Sequence, residues 1–171
     1  LRMVGRYLIA GPIASGGMGV VHLGRFLGAE GFARTVAVKQ LHGHLASDPE
    51  FVQMFLDEAR LAARVRHPNV ISPLDVVRLE RELFLVLEYV HGETLLELVR
   101  RAGAPPALEI ASAIVTQARL ALHAAHEAHD EQGRALEIVH RDVSPSNLLV
   151  GDDGVSRVLD FGIAKGGHPA Q

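Results

Sequence analysis

No cysteine occurs anywhere in the 171 residues, which removes disulfides and thiolate metal sites from consideration and suits a reducing compartment. Lysine is scarce as well. Of the 17 basic residues 15 are arginine, and the two lysines are Lys39 and Lys165. A GC-rich genome produces such a bias, and it draws attention to Lys39, an amine kept at the end of the strand-like run TVAVK where a guanidinium was the habit. No apolar run approaches the roughly 20 residues that a membrane span needs, and the opening LRMVGRYLIAGP has no secretory-signal pattern. The expected location is therefore cytoplasmic, with no membrane segment within the chain. A net charge of −3 leaves no basic footprint, so no nucleic-acid partner is expected.

What is present is a core-forming composition, 48% apolar, in two stretches of different character. Residues 6–40 read as strands, RYLIAGPIA, GVVHLGRF and RTVAVKQL, rich in β-branched residues and broken by glycine. SDPEFVQMFLDEARLAARV (47–65) reads as a helix opened by a capping box from Ser47 to Glu50, with Pro49 in its first turn. HPNV stops that helix, and LDVVRL and LFLVLEYV return to strands around the charged turn ERE. Beyond residue 90 the pattern becomes helical, a short TLLELVRRAG and a long alanine-rich PALEIASAIVTQARLALHAAHEAH. The expectation is α+β: a five-stranded antiparallel lobe with one helix over residues 1–90, and a partial helical lobe over 91–171.

Three places carry the residue types of phosphate and metal chemistry. IASGGMGVV lies between two strands, and its glycines let backbone amides approach phosphate oxygens. A strand follows it, so it is neither a Walker loop nor a dinucleotide fingerprint, and a ligand-free glycine hairpin reads equally well. In the helix, Phe51, Met54, Phe55, Glu58, Ala62 and Val65 follow helical spacing, which puts Glu58 on the apolar face. A carboxylate there needs a cation, Lys39 or else Arg60 or Arg64. The third place is IVHRDVSPSNLLV (138–150), where Asp142 and Asn147 stand five residues apart in a polar loop kept from being a helix interior by Pro145. The strands flanking Asp153-Gly154 suggest a two-residue type I′ hairpin turn. Counting outward from it pairs Asn147 with Asp160, an amide oxygen and a carboxylate that suit a hard ion such as Mg²⁺ shared with phosphates.

Taken in order, GGMGVV, VAVK, FLDEARLAARVRHPNV, LFLVLEYV, IVHRDVSPSNLLV and VLDFGIAK resemble the signature segments of protein kinases, in particular bacterial serine/threonine kinases of the myxobacterial kind. The resemblance implies ATP and Mg²⁺ as cofactors and the Ser/Thr hydroxyl of a protein as acceptor. Gly16, Gly17 and Gly19 would cover the phosphates, and Lys39, held by Glu58, would contact the α- and β-phosphates. Val21, Ala37, Leu87, Glu88 and Val90 would surround the adenine, with Leu87 as gatekeeper. Asn147 and Asp160 would hold Mg²⁺, and Asp142 would take or orient the hydroxyl proton. Arg141 is the type of arginine that pairs with an activation-loop phosphate in relatives.

Ala14 replaces the first loop glycine, and Ser144 stands where most of the family has a lysine that neutralises the γ-phosphate. Nine residues follow Gly162, so the chain reads as truncated after the D-F-G segment, short of the activation loop and the peptide-binding helices. The rival readings are a nucleotide-binding module or pseudokinase without transferase activity, and a small-molecule phosphotransferase.

Overall fold

The computed structural model describes residues 1–160. Phe161 and Gly162 of the D-F-G segment, and the tail with Lys165, lie outside the described residues. The chain divides into two compact units, one of Leu1–Asp57 with Pro73–Tyr89, the other of Glu58–Ser72 with the described residues from Val90 onward.

In the first unit the alternating apolar runs become strands β1 (Arg2–Val4), β2 (Tyr7–Gly16), β3 (Gly19–Leu27), β4 (Ala33–Leu41), β5 (Pro73–Leu79) and β6 (Glu82–Glu88). They form one antiparallel sheet in the order β1-β2-β3-β4-β6-β5. The sheet thus has six strands where five were expected. The extra one, β1, spans three residues, too few to display an alternation. It is fixed by the turn through Gly5 (φ +56°), by the fully buried Val4 and by the ion pair of Arg2 with Glu82. Val4, Tyr7, Ile9, Val36, Val38, Phe84 and Val86 gather into this unit's core, each large apolar side chain contributing about 1.5–3 kcal/mol by leaving water.

The helical stretch begins with a single turn, α1 (Gly43–Ala46), before the main helix α2 (Pro49–Ala62). The cap expected at Ser47 falls on Asp48, whose Oδ1 accepts from the backbone N–H of Glu50 (3.0 Å) and Phe51 (3.3 Å). Ser47 is committed to α1 instead, its hydroxyl donating to the Gly43 carbonyl at 2.7 Å. Pro49 takes the first helical position, where its missing N–H costs nothing. α2 is accordingly shorter at both ends than the 47–65 pattern.

The second unit holds a small sheet, β7 (Gly92–Thr94), β8 (Leu148–Gly151) and β9 (Ser156–Val158), with helices α3 (Leu95–Ala102) and α4 (Leu108–His126). Thr94 caps α3 by accepting from Glu97 N–H, and Gly103 ends it at φ +66°, the left-handed conformation that favours glycine. Along α4, Ile114, Ala118, Ala121 and Ala125 make a narrow buried stripe. It joins Val65, Val70, Ile138, Leu148 and Val158 in the core of this unit.

The HPNV segment belongs here for a specific reason. The buried Asn69 donates through Nδ2 to Gln117 Oε1 (3.0 Å) and to the Ser156 carbonyl (2.8 Å), while Gln117 Oε1 also accepts from Ser156 N–H (2.7 Å). Val158 N–H donates to the Asn69 carbonyl and Ile71 N–H to that of Val158, extending β9 by two backbone bonds. No helix among the described residues is long and apolar enough to cross a membrane.

Candidate functional site

Strand register arranges one set of candidates within the first unit. Val21, Lys39 and Leu85 are cross-strand neighbours on β3, β4 and β6, and Leu23, Ala37 and Leu87 form the next such row. Alternation places all six on one sheet face, opposite Val36, Val38, Phe84 and Val86 of the core. Of these six only Lys39 is polar, a buried amine, with Val21 and Ala37 half-buried and Leu87 buried. Glu88, at the end of β6, pairs with Arg34 at 3.3 Å.

The glycine run forms the β2–β3 turn, closed by Gly16 opposite Gly19 with Gly17 and Met18 at its tip. The three glycines are not equivalent. A Cβ on Gly19 would stand 2.0 Å from the Gln40 carbonyl oxygen, so only glycine lets β3 and β4 approach there. Gly16 and Gly17 border open space.

The second unit contributes the polar loop. After Ile138 the chain passes through Arg141 at φ +62°, an uncommon conformation for a side chain of that size, which turns the flanking His140 and Asp142 to different jobs. His140 is buried. Its Nε2 donates to the Leu159 carbonyl at 2.7 Å and its Nδ1 accepts from Asp142 N–H at 3.3 Å, which fixes the tautomer. Asn147 Nδ2 donates to both the carbonyl and the carboxylate Oδ2 of Asp142, each at 3.0 Å. The amide hydrogens are thereby committed to Asp142, which leaves the side-chain oxygen Oδ1 as the acceptor of that amide. Ser144 and Ser146 share a hydroxyl–hydroxyl bond of 2.8 Å.

The hairpin differs from the expected one by a single residue. Leu148 pairs with Val158 and Val150 with Ser156, so Asn147 lies opposite Leu159, whose N–H donates to it at 2.9 Å, and not opposite Asp160. The loop has three residues, Asp152-Asp153-Gly154, with Gly154 alone at positive φ (+75°), whereas a type I′ turn needs two such residues. Asp153 imposes the longer loop: its carboxylate accepts from Val155 N–H and from both terminal nitrogens of Arg157. The Arg157 bonds, then the Val155 N–H, hold its pKa down at about 2. Asp160, which follows Leu159, adopts φ +51°.

Glu58 is half-buried on α2, and Val90 is half-buried at the start of the second unit's main segment. His140 and the Asn69–Gln117–Ser156 bridge were not singled out by sequence reasoning. A histidine two residues before Asp142 was visible, but its ring acts through backbone groups that no spacing rule reveals.

An amide oxygen and a carboxylate are hard donors that fit Mg²⁺, an ion that commonly takes one or two protein carboxylates and completes its shell with phosphate and water. Among the described residues no group of three or more His, Asp or Glu side chains forms a metal cage by itself, so a cation here would share its ligands with phosphate.

A family model described as protein kinase domain matches residues 7–171. A protein named tyrosine-protein kinase MasK, from Myxococcus xanthus, is 41% identical over 168 residues, covering 96% of this chain and 26% of that protein. Serine/threonine-protein kinase PknA of Mycobacterium tuberculosis is 38% identical, covering 94% of this chain and 36% of PknA. The crystal structure of the M. tuberculosis PknI kinase domain superposes with a TM-score of 0.77 at 29% identity, over 96% of this chain and 61% of that one. The chain thus spans 26% of MasK and 36% of PknA.

Proposed function

The chain belongs to the protein kinase domain family, and from that membership we propose that its residues bind ATP with Mg²⁺ and transfer the γ-phosphoryl group to serine or threonine hydroxyls of proteins. The observation that carries this reading is the polar loop. Asp142 is held by the Asn147 amide and by its own backbone bond to His140, which supports it as the carboxylate that would orient the acceptor hydroxyl and take its proton. Asn147 and Asp160 are the residues that would hold Mg²⁺, which when bound neutralises charge on the transferring phosphates. Lys39 would meet the α- and β-phosphates, with Glu58 proposed as the carboxylate that would hold it. Val21, Ala37 and Leu87 supply the apolar sheet face against which a flat adenine ring packs, and the backbone of Glu88 and Val90 would bond its edge. Gly16, Gly17 and Gly19 would cover the phosphates. Ser144 brings no charge to the position where most of the family has lysine.

The test is transfer from radiolabelled ATP by the full chain and by Asp142→Asn, with phosphoamino-acid analysis of the product. The expected result is phosphoserine and phosphothreonine, with a loss of at least about 100-fold in kcat for the variant, the usual scale of a general-base contribution. Undiminished transfer by Asp142→Asn would overturn the assignment. Phosphotyrosine would favour the second reading, tyrosine as acceptor, which rests on the 41% identical relative that bears a tyrosine-kinase name.

A further inference from the structure

His42 is the first residue past β4 and makes two attachments to the glycine turn. Its backbone N–H donates to the Met18 carbonyl at 3.0 Å, and its ring Nε2 lies 3.1 Å from the Gly16 carbonyl oxygen. A carbonyl can only accept, so Nε2 carries the proton. Gly16 and Met18 flank Gly17, so one residue holds the turn on both sides of Gly17. Gly16 and Gly17 carry no side chains and border open space, which leaves backbone bonds of this kind to set where the tip sits. His42 is itself anchored: its carbonyl accepts from Leu45 and Ala46 N–H, each at 3.0 Å, and the His44 ring stacks on it at 5.9 Å between centroids and 16° between planes.

We infer that His42 is a positioning residue, whose imidazole latches the glycine turn in the geometry that covers phosphate. The inference rests on the reading that this turn covers the phosphates of ATP. It concerns one neutral side-chain hydrogen bond, so its loss raises KM for ATP about fivefold and leaves kcat for bound nucleotide within about twofold.

The experiment compares wild-type full chain with His42→Leu, which keeps bulk and removes the donor, and His42→Gln, whose amide nitrogen reaches as far as Nε2. Amide exchange over residues 14–20 is followed without nucleotide, and KM and kcat are measured with MgATP. The expected result is faster exchange and a raised KM in His42→Leu, with both restored toward wild type in His42→Gln. Unchanged exchange in His42→Leu overturns the latch, and so does a Gln variant as impaired as the Leu variant. Faster exchange with an unchanged KM shows a latch on a turn that does not act on ATP, which overturns the inference through the reading beneath it.

Discussion

His22 is where a single side chain works against the fold. Both of its ring nitrogens are buried without a hydrogen-bond partner among the described residues, on β3 opposite Val38. A buried polar group left unpaired costs about 1–3 kcal/mol, so His22→Leu is expected to raise stability by about 1 kcal/mol, or the melting midpoint by roughly 2–4 °C, in a thermal unfolding measurement. Asp153 makes the opposite case. Its pKa of about 2, against an ordinary 3.8, comes chiefly from Arg157 and then from Val155 N–H. A depressed folded value means stabilisation that is complete above the ordinary carboxylate range and is lost as pH falls toward 2. Arg157→Gln is expected to move the Asp153 titration up toward 3.8, read from its carboxyl carbon by NMR; an unmoved titration would remove Arg157 as the cause. The same carboxylate explains why the hairpin was only partly legible in the sequence. Asp153-Gly154 correctly marked a turn, but the Arg157 and Val155 bonds that lengthen it by one residue involve side-chain geometry that the dipeptide alone does not disclose.

At the scale of elements, α2 shows how a start signal can be read one residue early. Ser47 and Glu50 satisfy the capping-box spacing, yet Ser47 bonds backward to Gly43 and Asp48 supplies the cap. Asp48→Ala is therefore expected to cost about 1 kcal/mol in denaturant unfolding, and Asp48→Asn distinctly less. Equal losses from both would point away from capping by the side-chain oxygen. The five longer strands were legible because each is a stretch of seven or more residues rich in apolar and β-branched side chains, punctuated by glycine or charged turns. β1 was not, because three residues carry no period, and what secures it is pairing with β2 and the contact of Arg2 with Glu82, a residue 80 positions away.

At the scale of the whole molecule, the residues on which chemistry is proposed were legible because phosphate and metal chemistry restricts residue types so strongly: an amine ending a strand, an aspartate and an asparagine five apart, an aspartate after a hairpin. What fixes those residues in place was less legible. The bond of His140 to Leu159 and the bridge from Asn69 through Gln117 to Ser156 join segments 19 to 87 positions apart, and nothing local in the sequence announces them. The central proposal is that Asn147 and Asp160 hold the magnesium of a bound nucleotide. Its most direct test is the unfolding midpoint of the 171-residue chain with and without ATP and Mg²⁺, beside Asp160→Asn. A ligand at 100 times its Kd stabilises the folded state by about 2.7 kcal/mol, so a rise of roughly 5–10 °C that needs magnesium and vanishes in Asp160→Asn is the expected result. A cooperative transition that MgATP leaves unmoved, or a rise that survives in Asp160→Asn, would contradict it.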